Sequence, residues 1–365
     1  MTLGILAVCL LVLLLAWANG ANDIAKGVAT LVGNGTAHAR RAVLWGTFWT
    51  MLGGLAALMW GAALINAFTK GFLNPNFTID LTFVAGVTLG AVAWVGFAVR
   101  VGLPVSTTHA LLGGIVGAAL VSTTGAASGT ANLHANAVAS KALLPLLLSP
   151  LIAIGLCVLL LLLMRYVAKK IPAWSPGCCP QEAWQKNPFV CTSPRPPAMA
   201  ERVWTALHWL SSGTTSFARG LNDVPKIAAF MILALTLAPP ALVQTISSLP
   251  QTWPILLVTL VMGAGCLWGG FKVLDVLAHR VTPLDASSGL VANMGTSILV
   301  LAASPLGLPV STTHVSTGAL MGVRWTDRIK PHQNDTLKLI LFGWVVTLPI
   351  AALVAAISSL FLHQF

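Results

Sequence analysis

The sequence predicts an all-α integral membrane protein made of two inverted-topology repeats, with ten to twelve membrane passages, some of them broken or re-entrant half-helices. Three observations carry this. Hydrophobic residues make up 56% of the 365 and charged residues 8%, against a charged share of roughly 25% in soluble domains. The octapeptide Gly-Leu-Pro-Val-Ser-Thr-Thr-His occurs unchanged at 102–109 and 307–314, each time after an Asn-Asp pair in an apolar stretch: Gly20-Ala-Asn22-Asp23-Ile-Ala-Lys26 and Gly220-Leu-Asn222-Asp223-Val-Pro-Lys226. Finally, the loops after corresponding segments differ in charge, as expected when the two copies sit in opposite orientations.

A span takes about 20 apolar residues. The candidates are 3–19, 42–65, 83–101, 110–124, 142–167, 225–238, 254–274, 286–303, 310–323 and 338–363, with the shorter 24–37 and 203–220 read as half-helices. Gly20 and Gly220 are placed to release the chain from a helix, Asp23 and Asp223 to cap the next one, and Pro225 suits an early helical position. The first 20 residues resemble the apolar core of a secretory signal but lack a basic start, and cleavage near Ala18 would cut the first motif, so they read as a retained helix.

Residues 165–202 carry Lys169, Lys170, Lys186 and Arg195 and seven prolines between Pro172 and Pro197. This is a linker between a first repeat, 1–164, and a second, 203–365, and its basic charge places it in the cytoplasm. His38-Ala-Arg40-Arg41 is basic, whereas 238–251 has no charge; 66–82 carries the single base Lys70, whereas its counterpart carries Lys272 and Arg280. Both chain ends then face outward. The net charge of +11 belongs to cytoplasmic loops, not to a nucleic-acid surface, and the membrane is read as the plasma membrane. Cys9, Cys157 and Cys266 lie in apolar runs as core residues, while Cys178, Cys179 and Cys191 share the linker without zinc spacing. No cofactor or certain metal site follows.

The chain has nine acidic residues, and its two glutamates, Glu182 and Glu201, fall in the linker. Asp23 and Asp223 therefore stand out, because an ionisable side chain in the bilayer costs at least about 2.5–3.5 kcal/mol on insertion scales. The structural alternative is a helix cap, or pairing with the motif lysine. In the octapeptides, Pro104 suits a first helical turn, and Ser106, Thr107 and Thr108, like Ser311, Thr312 and Thr313, set hydroxyls beside free backbone N–H groups. A helix start of this kind is an anion site, or else a cap that satisfies only its own backbone. Four half-helix starts would meet near the midplane. Asn22, Asp23, Asn222 and Asp223 supply oxygens for a hard cation such as sodium, or acceptors for the hydroxyl of a protonated anion.

Lys26 and Lys226 act as built-in cations that balance the aspartates or touch the anion; otherwise they pair with the neighbouring Asp or reach past the helix end to water. Arg219, where the first half has Asn19, is an anion contact or a cytoplasmic anchor. His109 and His314, three residues after Ser106 and Ser311, share a helix face with them and serve as proton relays or packing residues. Gly113, Gly114 and Gly117 permit close helix packing. Trp94 and Trp268 read as interfacial or packing residues.

The two Asn-Asp motifs and the paired Pro-Val-Ser-Thr-Thr-His segments resemble the inorganic phosphate transporter (PiT) family of secondary carriers, from residue 4 to about 360. The resemblance implies an inverted-repeat helical fold, a homodimer, and phosphate uptake by alternating access driven by sodium or protons. It also implies that the Asn-Asp and Ser-Thr-Thr positions bind phosphate and coupling ions. Some relatives carry sulfate, which stays as the alternative anion. The family motif resembles G-A-N-D-x-A-N, whereas Lys26 and Lys226 stand here three residues past each Asp, so a proton is favoured over sodium. From another class, an intramembrane hydrolase would use Ser106, His109 and Asp23, but one active site needs no second inverted copy. The chain is therefore read as a carrier and not an enzyme.

Overall fold

The computed structural model describes residues 2–122, 129–170, 198–246, 248–280, 286–327 and 334–364; Cys178, Cys179 and Cys191 lie outside them. Among these residues the protein is helical, with twelve helices of seven or more residues. They are α1 (Thr2–Gly33), α2 (Ala39–Trp60), α3 (Leu81–Val101), α4 (Thr107–Val121), α5 (Leu144–Lys170), α6 (Ala198–Thr236), α7 (Pro240–Ile246), α8 (Trp253–Gly269), α9 (Phe271–His279), α10 (Ala286–Ala303), α11 (Thr312–Asp327) and α12 (Asn334–Leu362). Six helical stretches are long and apolar enough to cross a membrane, or seven when α8 and α9, bent by 62° at Gly270, count as one.

The breaks expected at the Asn-Asp motifs are absent. α1 runs through Gly20 and Asp23 without interruption, and α6 runs through Gly220, Asp223 and Pro225. Both glycines serve a different purpose. A Cβ at Gly20 would strike the Met262 carbonyl and the Cys266 N–H on α8, and one at Gly220 would strike the Thr50 carbonyl and the Gly54 N–H on α2. They permit backbone-to-backbone approach of neighbouring helices. The same holds reciprocally for Gly53 against Phe217 and Gly265 against Trp17.

The half-helices lie instead at the octapeptides. α4 has 15 residues and α11 has 16, about 22–24 Å each at 1.5 Å per residue, short of a full span. Each follows a left-handed glycine, Gly102 (φ 79°) or Gly307 (φ 68°), and a short non-helical run. Pro104 falls in that run, before the Ser106 N-cap, and not in the first turn.

The halves interleave. Gly113 and Gly117 of α4 meet Leu348 and Ala352 of α12, as Gly318 and Gly322 of α11 meet Pro150 and Ile154 of α5. α1 and α6 pack directly, and they run antiparallel: Ser212 Oγ donates to the Gly27 carbonyl at 2.6 Å, His208 meets Thr30 at 3.0 Å, and Asn34 meets His208 at 3.2 Å. Of the tryptophans, Trp94 Nε1 donates to Thr347 Oγ1 at 2.8 Å while Trp268 is exposed. Cys157 and Cys266 are buried, and Cys9 is half-buried.

Candidate functional site

Because α1 and α6 are unbroken, Asp23 and Asp223 sit in mid-helix, each three residues before a lysine on the same face. Lys26 Nζ pairs with Asp23 Oδ1 at 2.5 Å and Lys226 Nζ with Asp223 Oδ1 at 2.9 Å, with all four side chains buried. The pairing alternative for the lysines is thus the observed one, and neither reaches water. The non-helical stretches before α4 and α11 are laid against these pairs and held there by asparagine. Asn22 Nδ2 donates to the Leu103 carbonyl at 2.9 Å, and its Oδ1 accepts from the Val105 N–H at 3.2 Å. In the second copy Asn222 Nδ2 donates to the Val310 carbonyl at 3.3 Å.

The two copies meet at the carbonyls of Val105 and Val310. Lys26 (3.2 Å) and, from the other half, Thr313 Oγ1 (2.7 Å) donate to Val105. Lys226 (3.4 Å) and, from the other half, Thr108 Oγ1 (3.3 Å) donate to Val310. Further bonds cross between halves: Lys226 Nζ donates to Thr108 Oγ1 at 2.7 Å, and Thr312 Oγ1 to Asp23 Oδ2 at 3.2 Å. Ser106 and Ser311 each cap their helix by accepting the N–H three residues on, at 3.2 Å in both. The cap alternative therefore holds for both serines' own backbone contacts. The structure thus gathers both Asn-Asp pairs, both lysines and both Ser-Thr-Thr runs into one buried assembly, built on two helix starts and two continuous helices, not four starts.

The histidine rings meet across the same junction at a tilt of 47°, with centroids 4.3 Å apart, and His314 continues onto Trp344 at 3.9 Å. His109 Nδ1 lies 2.9 Å from Ser106 Oγ, whereas His314 Nδ1 points to the Leu146 carbonyl at 3.3 Å. Asp23 is engaged by Lys26, Thr312 and Asn19, the last at 3.4 Å. A Ser106–His109 pair therefore exists without Asp23 orienting its base.

Arg219 is buried, which excludes the cytoplasmic-anchor alternative. Its Nη2 donates to Thr50 Oγ1 at 2.5 Å and to Cys266 Sγ at 3.3 Å, while Nε and Nη1 have no partner among the described residues. Asp223 Oδ2 is likewise without one. Its counterpart Asn19 donates to Thr107 Oγ1 at 2.9 Å and joins the Asp23 network. Sequence reasoning gave Asn19 no role of its own. One signal was available: it lies four residues before Asp23, on the same face of any helix that continues through Gly20. Thr50, Cys266 and Ser304, which donates to Asn222 Oδ1 at 3.3 Å, had no such signal.

A family model described as the phosphate transporter family matches residues 19–355. The chain belongs to this family. Members share phosphate as their substrate, and they are transporters, not enzymes. Among relatives, the "Probable low-affinity inorganic phosphate transporter" of Rhizobium meliloti is 28% identical over 97% of this chain and 94% of its own length. The protein of that name in Bacillus subtilis is 26% identical over 95% and 93%. A solved structure described as "The sodium-dependent phosphate transporter" superposes with a TM-score of 0.79 at 24% identity, covering 100% of both chains. This neighbour shows that the fold is shared.

Proposed function

We propose that this protein is a secondary carrier that imports inorganic phosphate across the plasma membrane, coupled to protons, by alternating access around the site both halves build. The observation that carries the reading is the buried charge balance. Asp23, Asp223, Lys26, Lys226 and Arg219 are all buried, and two carboxylates against three cations leave one positive charge. A dihydrogen phosphate ion would neutralise it without a metal ion. Arg219 Nε and Nη1 and the hydroxyl of Thr107, which accepts from Asn19, supply donors, and Asp223 Oδ2 supplies an acceptor for a phosphate O–H. Sulfate brings no proton to that carboxylate at neutral pH, which favours phosphate between the two anions. His109 and His314, whose rings are in contact, are the residues assigned to proton relay.

Sodium coupling is the second reading, favoured by the structural neighbour's being described as sodium-dependent. The oxygens a sodium would need at Asn22, Asp23 and Asn222 are already engaged and Asp223 Oδ1 is held by Lys226, which leaves Asp223 Oδ2 as the one carboxylate oxygen of the two pairs without a partner among the described residues. A sodium about 4 Å from either ammonium would meet a repulsion on the order of 4 kcal/mol at an effective dielectric of about 20. Reconstituted protein is expected to take up phosphate in sodium-free buffer, to be stimulated by an inward proton gradient, and to lose that stimulation in Lys26→Asn or Lys226→Asn. Uptake that needs sodium and ignores the imposed gradient decides for the second reading. Unlabelled sulfate that competes as well as phosphate decides for the other anion.

The inverted arrangement of 1–164 and 203–365 around a cytoplasmic 165–202 is supported by the antiparallel course of α1 and α6 and by the opposed loop charges. The ten to twelve passages are supported by the short α4 and α11 acting as half-spans. The family resemblance supports a homodimer.

A further inference from the structure

Beside the site, on the side where α1 ends and α6 begins, the helix contacts are polar. Lys26, Thr30, Asn293, Thr296 and Ser316 form the polar part of the lining of a small cavity whose remaining walls are Ala29, Leu277, Ala292 and Leu320. Thr30 Oγ1 accepts from Asn293 Nδ2 at 2.9 Å and lies 3.0 Å from His208 Nε2. Asn34 Nδ2 lies 3.2 Å from His208 Nδ1. Donation from this amide leaves the ring proton on Nε2, facing Thr30. Asn293 also donates to Ser211 Oγ at 3.3 Å, and Thr215 Oγ1 lies 2.9 Å from Ser297 Oγ. Apart from Asn34, which is half-buried at the end of α1, these groups are buried. The file thus runs from Lys26 to the turn that precedes Arg40 and Arg41 at the start of α2.

The duplication supplies a control within the molecule. The Asn-Asp motifs repeat after 200 residues and the octapeptides after 205, so the residues of this side have counterparts on the other side of the site; Asn293 keeps a polar one, Thr88, whose hydroxyl donates within its own helix to Val84 and Ala85, while five others have apolar ones. Thr30 corresponds to Phe230, His208 to Val8, Ser212 to Val12, Thr215 to Leu15 and Ser316 to Leu111. All five counterparts are buried in the largest hydrophobic cluster. Burying hydroxyls and amides costs free energy unless something offsets it, and the counterparts show that the fold itself packs with apolar residues there.

We propose that the file from Lys26 through Thr30, Asn293, Ser211 and His208 to Asn34 is the route by which a hydrated tetrahedral oxyanion passes between the central site and the basic face. The opposite side is closed here by Val8, Val12, Leu15 and Phe230. The proposal rests on the carrier reading. The file's hydroxyls and amides exchange hydrogen bonds with the anion and its water as it moves, and they add no fixed charge that would trap it; beyond Lys26, which is paired with Asp23, the titratable group of the file is His208, with Thr30 and Asn34 on its two ring nitrogens.

The test is sided labelling of Thr30→Cys, Ser211→Cys and Asn293→Cys against Val8→Cys, Val12→Cys and Phe230→Cys in oriented vesicles. The probe is a charged, membrane-impermeant methanethiosulfonate, with modification read at the introduced site by peptide mass spectrometry. The first three are expected to react from the face bearing Arg40 and Arg41, more slowly when inorganic phosphate is present, and the other three to react at least about tenfold more slowly from either face. Equal reactivity of the two sets, or none in the first, overturns the route. Asn293→Leu keeps the test open should a cysteine variant fail to fold. It is expected to cut phosphate uptake about tenfold while phosphate still raises the thermal midpoint, and unchanged uptake also overturns the route. Labelling does not depend on what is carried. Absence of phosphate uptake by the unmodified protein would instead sink the carrier reading and leave the sidedness standing.

Discussion

The two sides of the central site are built from matching positions of one duplicated unit, yet one is lined with hydroxyls and amides and the other with Val8, Val12, Leu15 and Phe230. The groups at the centre itself, Asn-Asp-x-x-Lys and Ser-Thr-Thr-His, are the same in both copies. The contrast separates two kinds of position. Where a side chain sits at the junction of the two copies, as Thr108 and Thr313 do against the valine carbonyls, both copies need the same chemistry. Where it lines only one side, the copies have diverged. A second asymmetry lies inside the site: both oxygens of Asp23 are engaged, whereas Asp223 Oδ2, like Nε and Nη1 of Arg219, has no partner among the described residues.

The largest effects should come from removing the charges the halves share. Asp23→Asn and Asp223→Asn each leave a lysine buried without its partner, a loss of about 3–5 kcal/mol, and each is expected to abolish uptake. Transport and thermal unfolding measured together separate lost function from lost fold. Full transport in either variant would make that half a scaffold only.

Arg219→Asn makes the halves alike at this position. Loss of a charge-assisted donor, about 1.5–3 kcal/mol, should raise the phosphate concentration for half-maximal uptake by tenfold or more. An unchanged value would confine Arg219 to its contacts with Thr50 and Cys266.

The glycine contacts are reciprocal, so Gly20→Ala and Gly220→Ala should cost similar stability, about 1–3 kcal/mol from forcing α1 off α8 and α6 off α2. A thermal midpoint lowered in one variant and not the other would break that equivalence. The smallest difference concerns the caps. Ser106→Ala and Ser311→Ala each remove an N-cap worth about 1 kcal/mol, but only Ser106 also contacts its histidine ring. Ser106→Ala should therefore weaken phosphate binding more, and equal weakening by titration would set aside a role for that contact.

Composition, duplication and motif chemistry determined by themselves that this is a helical membrane protein whose two motif copies belong together, as the buried assembly they form bears out. That is so because apolar content, repeated polar motifs and intramembrane charge are each written in single residues. The i, i+3 spacing of Asp23 with Lys26 and of Asp223 with Lys226 made their pairing legible too. Where the helices break was not legible. Gly20 reads equally as a release point or as a flat surface, and only the approach of α8 shows that it is the second. The true half-helices follow Gly102 and Gly307, whose left-handed backbone is a property of the folded chain. Nor could sequence show that Arg219 is buried, or that Thr30, Asn293 and His208 meet, because those contacts join residues more than 150 positions apart. Local chemistry is carried by the chain in order, whereas which distant side chains share a buried space is decided only when the helices pack.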